Sequence, residues 1–128
     1  MKRSVMLTIA SLLSILLMTF HLTDDIVRGL SAPGADNLIA IVILLVWLYG
    51  TLMLKGRRVG YLIMLLGGIF AAAMPVLHMT GRSYGEIAVS SGGFFFIWTI
   101  LALGVTGTFS VVLAARCLWN PEWGEARS

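Results

Sequence analysis

The chain has 128 residues, of which 59% are apolar and 12% charged, with a formal charge of +3. A soluble domain carries roughly 25% charged residues, and one this small has too much surface for its volume to hide so much apolar side chain. Composition therefore excludes a water-soluble globule and makes lipid the solvent. Nucleic acid is excluded as a partner too, because the basic residues stand at the ends of apolar runs, where they orient helices in a bilayer.

Met1-Lys2-Arg3 gives a positive start, and residues 4–23 then carry no Asp, Glu, Lys or Arg. A signal peptide opens the same way, but this apolar run is long. The nearest stretch of small residues, 31–35, lies beyond the next charged cluster, so the first helix is read as retained. It is expected to span 4–23 and to extend as far as Arg28, with Gly29 as its C-terminal cap. Pro33-Gly34 breaks the chain, and Asp36 or Asn37 is placed to cap a second span over 37–54.

Lys55-Gly56-Arg57-Arg58 is the one dense basic cluster and too short a connection for anything but an antiparallel hairpin. Tyr49 and Tyr61 flank it as interfacial aromatics would. The third span runs over 59–79, with Pro75 placed to kink it near its end, because proline leaves the carbonyl of Ala71 without its usual donor. A polar loop containing Arg82 and Glu86 follows, then a fourth span over 90–115 that begins irregularly at Ser90-Ser91-Gly92-Gly93. Phe94-Phe95-Phe96 reads as lipid contact and packing. Gly68-x-x-x-Ala72 and Ser110-x-x-x-Ala114 offer small surfaces through which the third and fourth spans approach closely.

These elements predict an all-α integral membrane protein, a four-helix up-down transmembrane bundle forming a single domain. Lys2, Arg3, Lys55, Arg57, Arg58, Arg116 and Arg127 fall on one side and Arg28 and Arg82 on the other, which puts both termini in the cytoplasm. The compact chain and short loops point to the inner membrane of a bacterium.

The chemistry gathers where the first span ends. On a helix, residues three and four apart are neighbours. His21-x-x-Asp24-Asp25-x-x-Arg28 therefore lines up an imidazole, two carboxylates and a guanidinium. His78 ends a span running the same way as the first, so both histidines are expected at one depth on the outer side. His21, His78 and Asp24 or Asp25 form an acceptable donor set for zinc or another divalent ion. Glu86 is a further candidate, as a ligand or as a base toward bound water. Arg28, Arg82 and Glu86 complete an outer polar network. The same two histidines are also the only axial pair available to a haem, a poorer match so near the boundary.

Four spans in so short a chain match the small multidrug transporters in size. That family depends on a membrane-embedded glutamate in its first helix, and here no acid precedes Asp24. The lone Cys117 permits no disulfide, zinc knuckle or dithiol pair and reads as an apolar filler. The leading functional expectation is a non-catalytic accessory or assembly protein of the membrane, partnered by another membrane protein or by its own copies. The alternative is a metal-dependent enzyme or sensor using the His/Asp cluster.

Overall fold

The computed structural model describes residues 3–31, 34–80 and 84–120. Four long helices, α1 (Arg3–Val27), α2 (Ala35–Leu52), α3 (Arg58–Met79) and α5 (Gly93–Trp119), and one short helix, α4 (Tyr84–Val89), make up an all-helical fold. Each long helix is long and apolar enough to cross a membrane. No more than a third of any of these spans is buried inside the bundle, and in α2 only 17%. The rest of their apolar surface faces outward, including large side chains such as Leu38, Val76 and Phe94.

The helix ends follow from local chemistry. α1 stops in a Schellman motif: Gly29 takes φ +71°, its N–H donates to Ile26 O, and the Leu30 N–H donates to Asp25 O at 2.9 Å. α2 begins at Ala35, two residues before the expected start at 37. Gly34 is its N-cap without any side-chain bond, so neither Asp36 nor Asn37 is the cap. Both sit inside the first turn, where Asp36 still complements the positive helix end. Asn37 Oδ1 instead accepts from the Ser31 hydroxyl at 2.7 Å. α3 continues through Pro75 to Met79. The expected irregular start of the last span is a break at Ser90–Gly92 between α4 and α5, with Gly92 left-handed at φ +75°.

Consecutive long helices pack side by side and α5 returns beside α1, so α1 and α3 face each other across a diagonal, with less contact than any side-by-side pair of long helices. The most extensive interface joins α3 to α5. Gly68 and Gly107 meet there so closely that a Cβ on Gly107 would lie 2.8 Å from Gly68 O and 2.6 Å from Ala72 N. The small-residue expectation is met at this interface. Tyr61 does not face outward as a belt residue would: it is buried at the termini-bearing end with Leu7, Met64, Ala114 and Cys117. Its neighbour across the loop, Tyr49, is exposed.

Polar groups in the middle of the bundle are matched. Trp47 Nε1 donates to Ser11 Oγ at 2.9 Å, and Ser11 shares a 2.8 Å bond with Thr51 Oγ1. Ser14 Oγ bonds to Thr106 Oγ1 at 3.0 Å, tying α1 to α5. Inside the apolar bundle an unmatched hydroxyl has no water to turn to, so these bonds fix which helix faces meet.

Candidate metal centre

Met18, His21 and Ser14 lie on the buried face of α1, so the helix phase alone turns the His21 ring inward. His78, one residue before the end of α3, approaches from across the diagonal. Their rings meet edge to face with centroids 4.6 Å apart and an interplanar angle of 85°. Asp25, one turn beyond His21, brings a single carboxylate oxygen to both: Oδ2 lies 3.5 Å from His21 Nε2 and 3.7 Å from His78 Nε2. Together His21, Asp25 and His78 form a group of ligand atoms within 4.8 Å of one another that could hold a metal ion.

Burial falls steeply across the group. His21 is 1% exposed, Asp25 14% and His78 29%. The inner wall is Phe96 of α5, itself buried, with its ring centroid 5.7 Å from that of His21 and 6.1 Å from that of His78. The neighbouring Phe94 and Phe95 are exposed, so the aromatic run divides into an outward pair and one inward residue that sequence reasoning did not single out.

Two buried atoms of the group have no hydrogen-bond partner, His21 Nδ1 and Asp25 Oδ1. Buried polar atoms are otherwise almost always matched, and an unmatched one costs roughly 1–3 kcal/mol. His78 is different: its Nδ1 faces Met74 O at 3.2 Å. A bond from that nitrogen to a carbonyl leaves Nε2, the atom facing Asp25, free to bind a metal.

The two adjacent carboxylates separate in role. Asp24 Oδ2 accepts from Arg28 Nε at 2.6 Å, so Asp24 is committed to the guanidinium, and Asp25 is the acid that joins the histidines. Arg28 also donates to Ser90 Oγ at 2.9 Å and to Ser91 O at 3.1 Å, and its Cζ lies 5.9 Å from the Phe96 centroid. It thus clamps the break between α4 and α5 onto the end of α1. A Cβ on Gly92 would stand 2.8 Å from the guanidinium, so glycine serves there for space as well as for backbone conformation. Glu86 is exposed on α4 and is not part of the metal-competent group. Arg82 lies outside the described residues.

The geometry bears on which group fits. A haem needs its axial ligands to face one another across the porphyrin. Two imidazoles meeting edge to face at 4.6 Å leave no such slot. A single ion fits better, and the donor set of two nitrogens and a carboxylate oxygen is one that zinc accepts. No family model matches the chain, and no curated protein or solved structure matches it either.

Proposed function

We propose that this is a small multi-pass membrane protein that binds one divalent ion of the zinc class through His21, Asp25 and His78. On this reading the chain lies in a bacterial inner membrane with both termini cytoplasmic and the metal at the outer end. The asymmetry of basic residues along the chain supports that orientation.

The observation that carries the reading is the spacing of the donors. At 3.5 and 3.7 Å, the two N···O separations exceed the 2.7–3.2 Å usual for an N–H···O hydrogen bond. Tetrahedral zinc with bonds of about 2.0–2.2 Å sets neighbouring ligand atoms about 3.4 Å apart. An octahedral ion with bonds of about 2.1 Å sets them about 3.0 Å apart. The two His–Asp edges are closer to the tetrahedral value, and the edge between the imidazole nitrogens lies within 4.8 Å. The adjoining charges support an accessory or sensing role over a catalytic one, because Asp24 and Arg28 are committed to each other and to the α4–α5 junction.

The test is metal analysis of the full chain purified in mild detergent, incubated with excess zinc and desalted. One zinc per chain is expected, with the Asp24→Asn variant retaining it. Loss of a neighbour that merely orients a ligand costs roughly 10–100-fold in affinity. Removing a ligand itself, in His21→Ala or His78→Ala, should therefore cost about a hundredfold or more. A wild-type chain that stays metal-free under zinc excess overturns the reading and leaves a purely structural polar cluster at this end of the bundle.

A further inference from the structure

We infer that the metal bound here keeps one coordination position open toward water, and that this position takes a small anionic donor. The inference rests on the metal reading above and adds to it a ligand and a direction of access.

The donor count comes first. The chain has two histidines and both are already in the group. Its one cysteine is buried in the cluster with Leu7 and Tyr61 at the other end of the bundle. Asp24 is held by Arg28, and Asp36 and Glu86 are exposed and outside the group. Among the described residues the protein therefore offers three ligands, whereas zinc takes four. Closed four-ligand sites are structural, and three-ligand sites leave a place for an exchangeable group.

Direction follows from burial. Phe96 closes the inner side, and exposure rises from 1% at His21 to 29% at His78, so the open position lies on the His78 side. Charge then selects the ligand. A divalent ion held by one carboxylate and two neutral imidazoles retains a net positive charge of one, which favours an anion. Asp25 Oδ1, buried and without a partner, remains an unused acceptor beside the donor set. The aromatic wall of Phe96 and the two rings limit the space to a small donor.

The probe is cobalt(II), which takes zinc sites and reports its coordination by visible absorption, with sodium azide as the anion. The full chain in detergent, loaded with one equivalent of cobalt and desalted, should show the intense bands of four-coordinate cobalt. Azide should then shift those bands saturably and reversibly. Asp25→Asn, nearly isosteric, should bind cobalt at least about tenfold more weakly, which guards against a His78→Ala variant that does not fold. Cobalt that binds but ignores saturating azide means a closed site: it overturns this inference and leaves the metal reading standing. Failure to bind cobalt and zinc alike overturns both.

Discussion

The middle of the bundle and its end opposite the termini both bury polar side chains, but they treat them differently. In the middle, Ser11, Ser14, Thr51, Thr106 and the Trp47 indole bond to one another across three helices. At the end, His21 Nδ1 and Asp25 Oδ1 are buried and unmatched, and the His–Asp separations are longer than hydrogen bonds. The same physics applies to both regions, since a polar atom away from water costs free energy unless it finds a partner. The middle has spent its polar groups on joining helices. The end leaves buried polar atoms unmatched, and on the proposed reading its three donors hold a metal ion.

That contrast can be broken by experiment, and the largest effect belongs to the framework. Gly107→Val inserts side chain where backbone already sits 2.6 to 2.8 Å away, and overpacking of this kind should cost about 3 kcal/mol in detergent unfolding. Zinc affinity measured on the fraction that remains folded should be unchanged. Next comes the response of zinc binding to acid. An imidazole must be neutral to ligate, so a proton competes with the metal at both histidines. Affinity should fall by about tenfold or more between pH 7.5 and 5.5; a flat profile would show that the histidines do not bind the ion.

Smaller effects sharpen the contrast. Ser11→Ala removes the acceptor of the Trp47 N–H and should lower stability by about 1 kcal/mol, the scale of interhelical hydrogen bonds in membranes, without altering zinc binding. Smallest of all is the effect of His21→Leu on the metal-free protein. Replacing a buried ring whose Nδ1 is unmatched and whose Nε2 lies 3.5 Å from Asp25 by an apolar side chain of similar size should leave unfolding within about 1 kcal/mol of wild type or raise it. A loss above about 2 kcal/mol would mean that His21 joins helices as the serines do, and the two regions would then be alike.

Much of this was legible from the residues alone. The four apolar runs, the glycine stop after Arg28, the break at Ser90–Gly92 and the close pairing through Gly68, Gly107 and Ser110 are local or periodic features, and a one-dimensional pattern carries them. Other residues escaped for a common reason. Tyr61 has the composition of an interfacial aromatic, but the phase of α3 turns it inward. The triplet at 94–96 offered no sign that its third member would wall two histidines. Ser11, Ser14 and Met18 do recur with helical spacing on the His21 face of α1, a signal that could have singled out the hydroxyls.

The sequence by itself determined that apolar helices form, that the first stops at Gly29, and that His21 and His78 finish helices running the same way, because these depend on neighbours a few positions apart. Tertiary structure decided the rest. It set α1 and α3 across a diagonal, so that two rings 57 residues apart in the chain meet at 4.6 Å. It also gave Asp24 to Arg28 and Asp25 to the histidines. Two adjacent carboxylates look equivalent along the chain, and only the rotation of the helix against its neighbours assigns one to a guanidinium and the other to the imidazoles.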